Sequence, residues 1–159
     1  MEPTQSPPPI VLTPATQGDA EFLYSLWDKT ARTASFSGGP RDLDCHVQWL
    51  KDTLADPNRH VFVATERGIA VGAARLDVFD VGRWATVSLN VAPAHRRRGI
   101  GVAILRALEA EARELKIETL RAEMKLDNVS SQGAFTVAGY GPPEWSLGSG
   151  SRCLMLRRL

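Results

Sequence analysis

The chain has 159 residues, 43% of them apolar and 23% charged, with a formal net charge of +1. That length fits one domain with a core of its own. The near-zero charge excludes a global field that would draw the protein onto nucleic acid or a membrane surface, so neither partner is expected. Cys45 and Cys153 are the two cysteines, far apart and without metal-ligand spacing. No disulfide framework and no metal are expected, and reduced thiols fit a cytoplasmic protein.

No apolar run reaches membrane-spanning length. The opening "MEPTQSPPPI" has neither the basic n-region nor the apolar h-region of a secretory signal. Its prolines mark residues 1–9 as an extended leader, and the folded domain is expected over 10–159.

Ile10 to Thr13 reads as a first strand, ended by Pro14. From Gly18, "GDAEFLYSLWDKTA" reads as a helix with Phe22, Leu26 and Trp27 on one stripe. "TASFSGGPRD" is a loop. A second helix is expected over 42–55, with Leu43, Val47, Leu50 and Leu54 as its buried stripe and Asp42, His46 and Trp49 on an adjoining face. Segments 60–66, 69–79 and 83–91 are rich in β-branched and aromatic residues and read as three antiparallel strands. "RG" between the first two is a tight hairpin signal.

A helix is expected over 99–115, with Leu105, Leu108, Ala112 and Leu115 as its stripe. A strand follows over 117–124. The next helix covers 127–139, capped by Asp127 or Asn128 and ended by Gly139. "YGPPEWSLG" and "SRCLMLRRL" supply two final strands. The result is an α/β fold: one mixed, mostly antiparallel sheet of six to seven strands with about four helices on both faces.

"VAPAHRRRGIG", residues 91–101, carries the chemistry. A helix N-terminus offers unpaired N–H groups and partial positive charge. Glycines before it let a ligand approach the backbone, and arginines add charge-assisted donors. Gly99, Ile100, Gly101 and Val102 with Arg96, Arg97 and Arg98 therefore suit a pyrophosphate. A capped helix with a solvated basic patch is the alternative. The P-loop pattern is absent, and Ile104 breaks Gly-x-Gly-x-x-Gly.

This stretch resembles the acyl-CoA pyrophosphate motif of the GNAT superfamily of N-acetyltransferases, Arg/Gln-x-x-Gly-x-Gly/Ala, on Arg96, Gly99 and Gly101. Val91 and Pro93 match the family's lead-in. "NVSSQGAFTVAGY" is similar to a second family motif, on Asn128, Ser131, Ala134, Phe135, Gly139 and Tyr140. The resemblance implies a sheet splayed between strands 4 and 5, with acetyl-CoA as cosubstrate in the cleft. Leu89 and Val91 would pair with the pantetheine arm, and an N–H near Leu89, Asn90 and Val91 would polarise the thioester carbonyl. The 96–102 loop would hold the pyrophosphate, with Asn128, Ser131 and Phe135 along the arm. Asn128 reads equally as a helix cap and Ser131 as a surface residue.

Two departures stand out. Phe135 occupies the position where the family often has a tyrosine acid, leaving Ser131, Tyr140 or water to protonate the thiolate. The family's frequent glutamate on the fourth strand is missing from "ATVSLNV". His46, Asp77, Asp80 and Glu123 remain as base candidates, working through water.

For the acceptor, the spacing of His46, Trp49, Thr53 and Asp56-Pro57 faintly resembles GNAT enzymes acting on nucleotide-linked amino sugars. Trp49 would stack on a sugar or base, His46 would bond a hydroxyl, and Arg32 would meet a phosphate or carboxylate. The expected function is direct acetyl transfer to a small-molecule primary amine by a monomer or homodimer. Peptide N-terminal acetylation and non-catalytic acyl-CoA sensing are the alternatives.

Overall fold

The computed structural model describes residues 9–145 and 152–159, so the expected leader lies almost entirely outside the described residues. The elements run β1 (Ile10–Pro14), α1 (Ala20–Ser25), α2 (Lys29–Ala34), α3 (Leu43–Leu54), β2 (Arg59–Glu66), β3 (Ile69–Phe79), β4 (Trp84–Val91), α4 (Ile100–Glu114), β5 (Thr119–Lys125), α5 (Val129–Val137), β6 (Glu144–Trp145) and β7 (Arg152–Arg158). The strands form one sheet in the order β1-β2-β3-β4-β5-β7-β6. Every pairing is antiparallel except β4 with β5.

The "RG" signal makes a two-residue hairpin. Arg67 has φ 50° and Gly68 φ 80°, the paired positive values that match the twist of the flanking strands. The expected first helix is two helices. Its turn ends at Leu26 and Trp27, and Asp28 starts a new helix by accepting from the Ala31 N–H at 2.9 Å. A cap residue interrupts a helix wherever its side chain outbids the continuing ladder. Five helices are therefore present among the described residues, not four.

Two buried clusters hold the sheet. On one face Ile100, Ile104, Leu105, Leu108 and Ala112 of α4 pack on Phe62, Leu76, Ala85, Val87, Leu120 and Met155. On the other, Leu23, Leu26 and Leu50 cover Val61, Val63 and Ala73 of β2 and β3. Burial of one such leucine contributes roughly 1.5–3 kcal/mol. Two expected stripes are corrected at their edges. In α3 the buried positions are His46, Leu50 and Thr53, while Val47 is 43% exposed. In α4 the stripe ends at Ala112, and Leu115 lies exposed at the C-cap. Periodicity located both helices but not which of two adjacent stripes meets the sheet.

On the second face α1 and α3 cover β2 and β3. The half of that face formed by β4, β5 and β7 carries Thr86, Ser88, Asn90, Arg121 and Leu154, all partly exposed, and Glu123, which is exposed. This open half-face borders the site.

Candidate active site

β4 and β5 pair only over Trp84↔Thr119, Ala85↔Leu120 and Thr86↔Arg121. Both strands continue, to Val91 and Lys125, without a shared ladder. The sheet is thus splayed there, as the resemblance implies. Backbone direction alternates along a strand. Ala92 N–H donates toward β3, to Val71 O at 2.8 Å, while Arg83 C=O accepts from Thr119 N–H of β5. Leu89 and Val91 therefore turn their N–H groups into the splay. Asn90 turns its backbone toward β3 and its side chain toward the open half-face.

α4 begins where the cleft ends. Gly99 is its N-cap at φ 77°, a left-handed conformation that costs most residues about 1–2 kcal/mol. The first helical bond joins Ala103 N–H to Gly99 O at 3.1 Å. The amides of Ile100, Gly101 and Val102 lie before it, and no backbone acceptor takes them among the described residues. A Cβ on Gly101 would sit 3.8 Å from Leu89 Cδ1 and from Val91 Cγ2. The fold itself therefore admits a side chain at Gly101, and its lack keeps space open at the helix end.

The three arginines are not equivalent. Arg96 makes a bidentate pair with Asp28, at 2.8 and 3.0 Å, and donates through Nε to Val91 O at 3.1 Å. Arg98 pairs with Glu66 at 2.9 Å and lies 2.9 Å from His95 Nδ1. Arg97, exposed and held at φ 62°, enters no ion pair among the described residues. Its charge is the one left over at the helix N-terminus. The Arg96 and Ala31 donors beside Asp28 hold its carboxyl below the usual carboxylate range.

Asn128 caps α5 by accepting from Ser131 N–H at 3.2 Å, so the helix-cap reading describes its side-chain oxygen. Ser131 is half-buried on the first turn. Phe135 and Tyr140 belong to the core, 5% and 6% exposed, with ring centroids 4.8 Å apart in an edge-on contact. The Tyr140 hydroxyl has no partner among the described residues. Burial pushes its pKa up, and the Glu109 carboxylate adds to the shift. That placement makes Tyr140 a poor proton donor to a cleft ligand.

Among the base candidates, Asp77 is held by Arg59 and Arg75, both at 3.0 Å. Asp80 sits in the β3–β4 turn at φ 52°. Glu123 differs. It is exposed on the open half-face, two residues beyond Arg121, the last β5 residue paired to β4.

The proposed acceptor residues are brought together through Tyr24, whose ring lies 6.0 Å from the Arg32 guanidinium, but they form a packed cluster and not an open wall. His46 is 4% exposed, stacked on Trp49 at 5.3 Å and 5.9 Å from the Tyr24 ring. It stands in the core rather than on an open wall, and burial lowers its pKa. Trp49 is partly buried, with the Arg59 and Arg75 guanidinium groups 5.7 and 5.3 Å from its ring. Arg32 spends its donors on Trp27 O, Gly38 O and Pro40 O, closing the loop after α2. Sequence reasoning missed Asp28 and Glu66, the carboxylates that take up Arg96 and Arg98. Their pairings span 68 and 32 residues and leave no local pattern.

The sequence profile of the acetyltransferase (GNAT) family matches residues 21–140. Over 81 residues the chain is 40% identical to a mycothiol acetyltransferase of Salinispora arenicola (strain CNS-205), covering 50% of this chain and 26% of that protein. The chain thus spans about a quarter of the length of the curated relatives it matches. Among solved structures, an aminoglycoside acetyltransferase in complex with coenzyme A superimposes with TM-score 0.82 at 16% identity, over 94% of this chain and 95% of that one. A spermidine N-acetyltransferase from Vibrio cholerae, in complex with CoA and spermine, gives 0.83 at 15%, over 94% and 95%. At such identities the likeness speaks for the fold. With the profile spanning most of the chain, and with the splayed sheet and glycine-capped helix in place, the chain belongs to the acetyltransferase (GNAT) family.

Proposed function

We propose that the protein moves an acetyl group from acetyl-CoA to a primary amine of a small molecule, directly, with both substrates bound together. The observation that carries this reading is the junction of cleft and helix. Leu89 and Val91 offer N–H groups into the β4–β5 splay, which leads to the uncovered amides of Ile100, Gly101 and Val102. A pyrophosphate fits there on chemistry: amide donors, a helix dipole, Arg97 and the clearance left at Gly101.

Acetyl-CoA supplies the activated acetyl thioester. The chain's own part is to hold it, polarise its carbonyl and prepare the amine. The Leu89 and Val91 N–H groups are the donors aimed into the splay. Glu123 is the base in this reading, taking a proton from the acceptor amine through water. Phe135 cannot donate and Tyr140 is enclosed, so Ser131 or water protonates the thiolate. Asn128 keeps its side-chain NH2 for the pantetheine arm while its oxygen caps α5.

The acceptor reading is supported by the fold's likeness to aminoglycoside and spermidine acetyltransferases and by the mycothiol acetyltransferase relative. An amino sugar is the acceptor we favour. His46 and Trp49 contribute to its wall only indirectly, by packing α3. Cys45 and Cys153 are free thiols, which favours a reducing compartment such as the cytoplasm. No helix among the described residues is long and apolar enough to cross a membrane. Titration calorimetry with acetyl-CoA tests the reading: binding is expected, and no heat at millimolar ligand overturns it.

A further inference from the structure

α2 lies across the mouth of the cleft, fastened to both lips. At its N-terminus Asp28 pairs with Arg96, and Arg96 in turn holds Val91 O at the end of β4. Toward its C-terminus the Thr33 carbonyl accepts from Lys125 Nζ, at the end of β5, at 2.8 Å. Just beyond, the Phe36 ring lies 4.0 Å from the guanidinium of Arg152, which pairs with Lys125 in the β5–β7 ladder. One six-residue helix thus bridges the two strands that part to form the site.

The fastenings are unequal. The β4 side has a partly buried, bidentate, charge-assisted pair in which both partners are about a third exposed or less. The same Asp28 carboxylate also caps α2 through the Ala31 N–H. The β5 side has one exposed lysine–carbonyl bond and one cation–aromatic contact, each weak in water. Arg96 lies in the segment that carries Arg97 and Gly99, both with positive φ. Among the described residues, the Asp28–Arg96 pair is the ion pair that joins this segment to α2.

We propose that Asp28 is a positioning residue that couples the cosubstrate loop to α2, so that occupation of the loop orders the helix that bridges the two strands of the cleft. The proposal rests on the acetyl-CoA reading above. By linkage, the coupling runs both ways: an acceptor that orders α2 tightens the cosubstrate site. It also assigns the motif's Arg96 to this pair rather than to the pyrophosphate.

Amide hydrogen exchange on the full chain, with and without CoA, tests it in wild type and in Asp28→Asn. Asparagine keeps the capping oxygen for Ala31 N–H, so α2 survives, but it loses the charge that holds Arg96. In wild type CoA should slow exchange at residues 100–102 and, by roughly five- to tenfold, at residues 31–35. In Asp28→Asn the first effect should persist and the second vanish. Arg96→Lys, which keeps the charge and loses the bidentate fork, should show an intermediate effect on α2. Protection at 100–102 with none at 31–35 in wild type overturns the coupling, as does α2 protection retained in Asp28→Asn. No protection at 100–102 overturns the acetyl-CoA reading, and the coupling falls with it.

Discussion

Tyr140 meets Phe135 edge-on, ring centroids 4.8 Å apart, with its hydroxyl buried and unbonded among the described residues. The phenol that sequence offers as a replacement acid is therefore a core residue. A buried hydroxyl without a partner costs about 1–3 kcal/mol. Tyr140→Phe should leave turnover within about twofold and hold or raise the melting temperature, as read by steady-state kinetics and thermal denaturation. A large loss of kcat with an unchanged melting temperature would return Tyr140 to the reaction.

The arginines should separate by partner. Arg97→Ala removes the loop arginine that has no counter-ion among the described residues and should weaken acetyl-CoA binding by about tenfold or more, given about 1.5–3 kcal/mol for a charge-assisted bond. Arg98→Ala removes a charge that Glu66 already balances and should cost less. Calorimetry on the two variants gives the order directly, and the reverse order contradicts the assignment.

Gly101 and Gly99 should fail differently. The 3.8 Å clearance means Gly101→Ala folds normally, while Gly101→Glu should abolish acetyl-CoA binding through bulk and repulsion with little change in melting temperature. Gly99→Ala has open space but a left-handed backbone, so it should lose roughly 1–2 kcal/mol of stability first. Unchanged affinity in Gly101→Glu would place the pyrophosphate elsewhere.

Glu123→Gln should lower kcat/KM for the acceptor by 10²-fold or more, as expected for a lost general base, while acetyl-CoA affinity stays constant. Competition calorimetry and kinetics on one preparation separate the two. An undiminished rate would leave bulk water as the base.

Protonation of His46 should oppose folding. Burial lowers its folded pKa, so the unfolded chain binds the extra proton first as pH falls. The stability it permits is complete above the ordinary histidine value near 6.5 and declines below it. His46→Phe, which keeps a ring against Trp49, should flatten the stability–pH curve below about pH 6.5 in urea titrations. Asp28 acts lower: its depressed pKa contributes stability above about pH 4 that is lost as pH falls further.

Much of this was legible in the residues. The succession of elements along the chain, the hairpin at Arg67-Gly68 and the α4 cap at Gly99 follow from local composition, because each is decided by periodicity or φ/ψ demands within its own segment. What could not be read was pairing across distance. The Asp28–Arg96 bracket joins residues 68 apart, and the choice of His46 over Val47 as the buried position depends on which face β2 presents. Tyr140 shows the same limit: a motif places it next to the site in sequence, and packing on Phe135 turns it inward.

Thiol release from acetyl-CoA across a panel of amines tests the central claim most directly. The panel should include amino sugars, aminoglycosides, polyamines and peptides with free N-termini. The account predicts turnover on one or more of the small amines, with N-acetylated product equal to the CoA released. Acetyl-CoA binding with no turnover on any amine, or turnover on peptides alone, would contradict it.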